Sequence, residues 1–541
     1  MSDHPTLAEA HLLRDAANHL VDRSLERARE ITDGGKRIDD HQVLTESVTY
    51  AATQARAASE LVDAVDASGQ RGMAEITCAA AVADLSRSLI GRLEPLLDDL
   101  GLGDAVLDET FSGDTRSALR RAGHESVFRA IGAHCAETRG RNDWPLDELH
   151  DQVREAVREF GENEVAPEAE RIHRNDELVP ESFITNMAEL GYFGLAIPEQ
   201  YGGSEMGNLA MILTTEELSR ASLAAAGSLI TRPEILTKAL EGGGTDEQKA
   251  HWLPKIAAGE VMVGISVTEP DIGSDVAGVK CRAEKRGDDW VINGPKAWCT
   301  FAGRADVLAV LCRTDADMSK GAKGLSLFIA PKDRFDGHAF EMVQPGGGKL
   351  VGKADATPGY RGMHSFTLNF EDYVVPGANL VGGEKGLGRG FYLQMAGFTA
   401  GRLQTGGRAC GLAQAALEKT AEYVVDRVQF GNPISEYGLT QYNLGRMTAM
   451  LAPSRAITYA AAAAMDEDER AAAPFAAQAK LLACDMAVEL TQLGQLLHGG
   501  WGYAEEYPIS RYVVDAQVLP IFEGVKATLE LKVIGRNLLA A

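Results

Sequence analysis

A change of local pattern along residues 146–541 constrains the fold of this 541-residue chain more than any other feature. Between 146 and 260 apolar residues recur at helical spacing. Val153, Val157, Phe160 and Val165 form one stripe, and Pro198-Glu199-Gln200-Tyr201-Gly202-Gly203 makes a turn. From 261 to about 380 the texture shifts to short β-branched runs. Trp290-Val291-Ile292 runs into Asn293-Gly294, a strong hairpin signal. Val307 to Cys312 and Leu325 to Ala330 read as further strands, and Phe366 to Phe370 alternates. After Gly386 the helical period returns and is broken by Gly499-Gly500-Trp501-Gly502. The expected fold is mainly α with a small central β domain and a C-terminal four-helix bundle.

Ahead of this lies an N-terminal helical extension. A first helix over 7–32 carries Leu13, Ala17, Leu20, Ala28 and Ile31 and stops at Gly34-Gly35; a second spans 39–67 and ends at Ser68-Gly69. A third, 72–100, places Ile76, Leu85, Leu89, Leu93, Leu96 and Leu100 on its face. A fourth runs over 115–136 with Asp114 as its N-cap. The polar run Arg139-Gly140-Arg141-Asn142-Asp143, followed by Trp144-Pro145, marks the boundary. The expected division is 1–145, 146–260, 261–380 and 381–541. Several domains are required in any case, since single cores stop growing near about 250–300 residues.

The formal net charge of −25 argues against general nucleic-acid binding and against anionic membrane surfaces. A site for a polyanionic ligand must therefore be locally basic or rich in N–H donors. Cysteines 78, 135, 281, 299, 312, 410 and 484 are scattered without a CxxC pair. They predict neither a disulfide framework nor a metal site, and they fit a reducing, cytoplasmic setting. Met1-Ser2-Asp3-His4-Pro5 lacks a basic and then apolar run, so no signal peptide is expected. The alanine-rich run Ile457 to Met465 is too short to span a bilayer.

Three short motifs carry chemistry. Val267-Thr268-Glu269-Pro270-Asp271-Ile272-Gly273-Ser274-Asp275-Val276-Ala277 offers hydroxyls and backbone N–H groups suited to a flavin and a pyrophosphate. Trp298-Cys299-Thr300 adds an aromatic wall and another hydroxyl. Ile521-Phe522-Glu523-Gly524 holds one carboxylate in apolar company. Over roughly residues 146–541 the chain resembles the acyl-CoA dehydrogenase family, flavoenzymes that desaturate acyl-CoA thioesters. Such a reaction needs a base for the α-proton and an acceptor for the β-hydride. No side chain accepts hydride, so a flavin must.

The resemblance implies FAD as cofactor. Thr268, with Val267 beside it, would meet the flavin pyrimidine; Gly273 and Ser274 would approach the pyrophosphate and CoA. Trp298 would wall the ring and Thr300 would bond near N5. Glu523 matches the family base, standing 23 residues after Gly500 as in relatives, and its apolar flanks should raise its basicity. Its backbone N–H would hold the thioester oxygen, next to Gly524. Some relatives carry the base just before an arginine on an earlier helix. Here that position is Gly401, before Arg402, which leaves Glu523. Arg427-Val428-Gln429-Phe430-Gly431 resembles the family segment that reaches a neighbouring subunit's flavin, and Gly499 and Gly500 belong to the same end of the cofactor. Val525, Ala527, Leu496 and Gly438 depart from residues common in relatives at the adenine end.

For the acyl group, Gly401 leaves room for a branch, and Arg402, Arg408 and Arg232 suit an acyl chain ending in carboxylate. The same arginines serve equally as loop-ordering, phosphate or subunit contacts. Tyr360 to Phe366 and the run Gly401-Arg402-Leu403-Gln404-Thr405 resemble family members acting on short, branched, dicarboxylic thioesters. A dehydrogenase of another short branched or dicarboxylic acyl-CoA, or an acyl-CoA oxidase, is the alternative within enzymes. A DNA-associated flavoprotein of this fold is the alternative outside them, disfavoured by acidity such as Asp466-Glu467-Asp468-Glu469. The implied partners are an acyl-CoA substrate and an electron-transfer flavoprotein. The extension has the texture of the bundle after Leu439. It is expected to cover the surface through which family tetramers pair their dimers, leaving a homodimer; a docking module is the other reading.

Overall fold

The computed structural model describes residues 4–142 and 144–540. Met1 to Asp3, Asp143 of the predicted boundary, and Ala541 lie outside the described residues. The chain forms two compact units. One joins the N-terminal stretch through Leu149 to Thr405 and beyond; the other is His150–Gln404.

In the first unit the extension forms helices Leu7–Ile31, Gln42–Ser68 and Met73–Leu93. Leu13, Ala17, Leu20, Leu61, Leu89 and Leu93 are fully buried. The third helix stops earlier than its apolar period suggests. Pro95 has no N–H to continue the ladder, and a 3-10 turn Glu94–Leu96 follows. The single fourth helix expected over 115–136 is instead two, Gly113–Ala122 and Glu125–Glu137, after an unanticipated short helix Ala105–Thr110. Ser112, not Asp114, precedes the first of them. At the break, the guanidinium of Arg87 donates to the carbonyls of Leu119 and Gly123 at 2.9 Å each, and His124 caps the next helix by accepting from Ser126 N–H. Carbonyls satisfied from outside make termination cheap.

The same unit contains Gly438–Glu467, Glu469–Leu497 and Ile509–Ala516, with the last part of the long helix Gly390–Asp426. The extension packs directly on this bundle. A Cβ on Gly132 would lie 1.7 Å from the Gln441 carbonyl oxygen, and one on Gly445 would lie 1.9 Å from that of Phe128. Only hydrogen at both positions permits helices Glu125–Glu137 and Gly438–Glu467 to approach so closely. Tyr50 shares a core with Ala477, Leu481, Leu529 and Ile534.

Glu530 sits in this interface, buried, and its carboxyl is pushed up to about 7 by burial, which the neighbouring Lys526 opposes and Glu46 and Asp485 reinforce. An ordinary glutamate loses its proton near 4.5. Between those values the folded chain holds a proton the unfolded chain has released, so stability falls as pH rises towards 7. Discounted for partial solvation and Lys526, the cost above pH 7 is about 1–2 kcal/mol. Glu530→Gln should therefore melt about 1–2 °C higher than wild type at pH 8 and level with it near pH 5, read by calorimetry.

The second unit begins with helices that include Glu181–Glu189, Gly207–Ala221, Thr231–Gly243 and Asp246–Ala257. An eight-stranded sheet follows: β1 Val263–Ser266, β2 Arg282–Arg286, β3 Asp289–Thr300, β4 Val307–Arg313, β5 Leu325–Pro331, β6 Ala339–Val343, β7 Lys349–Ala354 and β8 Ser365–Val375. The order is β1-β4-β2-β3-β8-β7-β6, with β5 on β4. Leu236, Leu240, Leu253 and Ile256 of the helices pack on Val307, Ala309, Leu327 and Ile329 of the sheet. Asn293-Gly294 is not a turn. β3 runs through it, and the hairpin turns at Gly287-Asp288. A bulge at Gly294 replaces the expected reversal, because Asn293 accepts from Asp372 N–H at 2.8 Å and a Cβ at Gly294 would press on Cys281.

Candidate active site

In the second unit the Val267–Ala277 motif leaves the end of β1 and is pinned from below. Glu269 and Lys296 are both buried. The Lys296 ammonium donates to Glu269 Oε1 at 3.0 Å and to the Val267 carbonyl at 2.9 Å. The carboxylate also accepts from the backbone N–H groups of Lys280 and Cys281. Thr268 is half-buried, and its carbonyl accepts from Ala297 N–H at 2.8 Å, tying the motif to β3.

Directly after Ala297 the β3–β8 register slips, between Lys296 and Cys299. Trp298 leaves the ladder with φ +56° and presents its indole at 60% exposure. So large an open aromatic face can wall one side of a planar ligand. Thr300 returns to the sheet, its hydroxyl 3.0 Å from that of Ser365. Trp298, Phe301, Tyr360 and His364 all have left-handed backbones, a concentration of strain typical of a ligand clamp. Gly273 and Ser274 are exposed, and a Cβ on Gly273 would meet open space. The bare backbone and the open indole fit a planar cofactor with a phosphate tail.

Helices Thr231–Gly243 and Gly390–Asp426 touch where a Cβ on Gly397 would lie 2.5 Å from the Ile235 carbonyl oxygen. Gln394, Gly401 and Gln404 fall on the same helical face as Gly397. Gln394 and Gln404 are fully buried, and their amide groups find no partner among the described residues; nor do the hydroxyls of Thr231 and Thr237 on the facing helix. Arg232 is buried beside them, donating to the Tyr360 hydroxyl at 3.1 Å and to the Ser228 carbonyl. Arg402 lies half-buried next to Gly401. In the same unit Asp176, His338 and His364 cluster, with His364 Nε2 3.0 Å from Asp176 Oδ1; burial lowers the His364 pKa against the pull of that carboxylate. Arg361 pairs with the same oxygen at 3.3 Å.

In the first unit Glu523 stands at the tip of a loop closed by Lys526 N–H donating to the Pro520 carbonyl at 3.0 Å. Its backbone is left-handed at φ +54°, and Gly524 follows at φ +104°. Buried Lys480, on the Glu469–Leu497 helix, donates to the carbonyls of Phe522 and Gly524 at 2.5 Å each, one on either side of Glu523. Arg408 is fully buried, its guanidinium 4.7 Å from the centre of the Phe522 ring and its Nη2 2.6 Å from the Thr405 hydroxyl. An otherwise costly backbone is thus held from three directions.

Arg427, Gly499 and Gly500, far apart in sequence, line one open groove of about 640 Å³ with Tyr423, His498 and Trp501. His498 stacks on Tyr423, ring centres 4.3 Å apart. Beyond it the two-stranded hairpin Val428–Gln429 with Asn432–Pro433 carries Phe430 at its tip, at φ +52° and 96% exposed. Two buried lysines support these motifs without belonging to any of them. Lys296 and Lys480 each stand alone among apolar neighbours, and such isolation is the only trace a buried cation leaves in a sequence.

Three family models match in order: the acyl-CoA dehydrogenase N-terminal domain over 147–260, the middle domain over 264–373 and the C-terminal domain over 388–539. The chain is similar to (2S)-methylsuccinyl-CoA dehydrogenase of Cereibacter sphaeroides, 38% identical over 84% of this chain and 80% of that protein. Among solved structures it is similar to butyryl-CoA dehydrogenase from Megasphaera elsdenii, 29% identical with a TM-score of 0.67 over 74% of this chain and 100% of the other. It is also similar to a chain in the structure of the electron transferring flavoprotein of Acidaminococcus fermentans, 31% identical with a TM-score of 0.68 over the same shares. With all three domains matched in sequence and the helical, β and helical architecture in place, the chain belongs to the acyl-CoA dehydrogenase family of FAD-dependent oxidoreductases.

Proposed function

We propose that this protein oxidises (2S)-methylsuccinyl-CoA to mesaconyl-CoA, with Glu523 as the base. The observation that carries the reading is the Glu523 loop, where a left-handed carboxylate residue has both flanking carbonyls fixed by one buried ammonium. Glu523 takes the proton from Cα, and its own N–H steadies the thioester oxygen as negative charge gathers there. FAD supplies the acceptor for the hydride leaving Cβ, so one Cα–H and one Cβ–H bond break and a C=C bond forms. Thr268, Gly273, Ser274, Trp298 and Thr300 hold the cofactor. Arg427, Phe430, Gly499 and Gly500 reach the FAD of a second copy, which gives exposed Phe430 its cover.

A dicarboxylic substrate is supported by the buried polar face on the Gly390–Asp426 helix. Amides without protein partners cost about 1–3 kcal/mol each, a cost a polar occupant removes. Gln404, Thr231 and Arg232 then hold the distal carboxylate, Gly401 leaves room for the methyl branch, and Arg408 acts on the base loop. Gln404→Leu should lower the specificity constant for methylsuccinyl-CoA about 10–100-fold relative to butyryl-CoA, because the leucine leaves that carboxylate underbonded. Electrons pass on to an electron-transfer flavoprotein. The extension covers the bundle and the assembly is a homodimer in the cytoplasm, where seven reduced, buried cysteines are at home. Anaerobic bleaching of the flavin by methylsuccinyl-CoA, succinyl-CoA and butyryl-CoA, then air readmission, tests the reading. Fastest bleaching by butyryl-CoA removes the dicarboxylate, and rapid reoxidation by air makes the protein an oxidase. A light-scattering mass near four subunits removes the dimer.

A further inference from the structure

The N-terminal extension does more in this structure than cover the bundle. Its Tyr50, buried on helix Gln42–Ser68, donates its hydroxyl to Asp485 Oδ2 at 2.7 Å. That same oxygen accepts from the Lys526 ammonium at 2.6 Å. Lys526 is the residue whose N–H closes the Glu523 loop onto the Pro520 carbonyl. Lys526 Nζ also lies 4.8 Å from the centre of the Tyr50 ring, and the guanidinium of Arg92 lies 3.9 Å from it. Arg92 belongs to the extension too, and is paired with Glu46 at 3.1 Å. The helix that carries Asp485 also carries Lys480, which grips the loop's two carbonyls. One helix thus offers the base loop two anchors, and a tyrosine from the extension braces the second.

We propose that Tyr50 is a positioning residue for Glu523, acting through Asp485 and Lys526, so that the extension is part of the catalytic apparatus. The proposal rests on Glu523 being the base. The phenol hydroxyl fixes one lone pair of Asp485, which directs the carboxylate onto Lys526 and holds the closing end of the loop. Without the hydroxyl the carboxylate rotates, Lys526 relaxes, and the base at the loop's tip loses its setting over Cα. The bond is charge-assisted, with its tyrosine end buried and the Asp485 carboxylate partly open to solvent.

Tyr50→Phe is the test, because it keeps the ring beneath both cations and deletes only the hydroxyl. The FAD-loaded variant and wild type are compared in anaerobic flavin bleaching by methylsuccinyl-CoA and in wash-in of deuterium at the substrate's Cα. Bleaching and wash-in should fall together by about 5–20-fold, a fraction of the roughly 100-fold that a 1 Å misplacement costs. FAD content and thioester affinity should stay with wild type, and the melting temperature should fall by no more than about 1–3 °C, the loss of one hydrogen bond to a charged group. Lys480→Met should slow both steps further, and Lys480→Arg should recover part of the loss if the methionine variant folds poorly. A Tyr50→Phe protein that melts earlier but bleaches and exchanges like wild type assigns Tyr50 a structural role only and overturns the proposal. Wild type that neither bleaches nor exchanges with any thioester removes the base assignment itself, and this proposal with it.

Discussion

Glu523→Gln is expected to keep its yellow flavin and its affinity for the thioester while turnover falls by about 10²–10⁴-fold or more. Glutamine is nearly isosteric with glutamate and tolerates the left-handed backbone no worse, so φ +54° at this position adds no new cost. The fixtures of the loop are indifferent to the change. Lys480 binds the carbonyls of Phe522 and Gly524, and Lys526 N–H binds that of Pro520; none of these bonds uses the Glu523 side chain. What disappears is the capacity to accept a proton, since an amide is not a base at any pH the protein survives. On the proposed mechanism the backbone N–H that steadies the thioester oxygen remains. The loss should therefore appear in the rate of flavin bleaching at saturating thioester and leave the half-saturating concentration within a few-fold. Gly401, the position where some relatives carry their base, has no side chain to take over. A variant that bleaches at near-normal rate would move the base to another residue.

How much of this was legible beforehand depended on whether local sequence determined the outcome. The first helix of the extension and the alternation of β8 were readable because one periodicity was enough to define each. The break at Gly123-His124 was not, because Arg87, from another helix, satisfies the carbonyls that the break exposes. Asn293-Gly294 carried the chemistry of a turn and became a bulge, since Asp372 on β8 supplies the hydrogen bonds that keep the strand running. The motif residues Thr268, Trp298, Thr300 and Glu523 stand out through resemblance and the demands of the reaction. Their supports were invisible for the same reason as the helix break. Lys296, Lys480 and Tyr50 act on residues distant in sequence, and nothing about a lone lysine or tyrosine declares its partner. Arg408 shows the same limit. Its charge suits a substrate carboxylate, and its burial against Phe522 adds a contact with the Glu523 loop that no local pattern announces.

Lys296→Met should severely damage the His150–Gln404 unit and the Val267–Ala277 motif it carries. The ammonium is fully buried and is the only cation among the described residues paired with Glu269, itself 5% exposed. Methionine fills similar volume but leaves a buried carboxylate with backbone N–H donors alone to hold its charge. Breaking a buried pair by removing one partner costs about 3–5 kcal/mol, because the remaining ion is uncompensated. The damage falls on the motif, since the Val267 carbonyl loses its donor and Thr268 is the next residue. The variant should melt several degrees below wild type and be purified with less FAD per chain. Glu269→Gln combined with Lys296→Met removes both charges, and the glutamine oxygen can still accept from Cys281 N–H. The double variant should thus recover much of the melting temperature, in keeping with neutral replacements of buried pairs. FAD content should recover less, because the Val267 carbonyl remains without its ammonium. Recovery of stability without recovery of cofactor would separate the electrostatic role of Lys296 from its geometric one. A single variant that melts with wild type and retains its FAD would show that the turn is held by its backbone contacts alone, with Ala297 N–H on the Thr268 carbonyl as the remaining tie to β3.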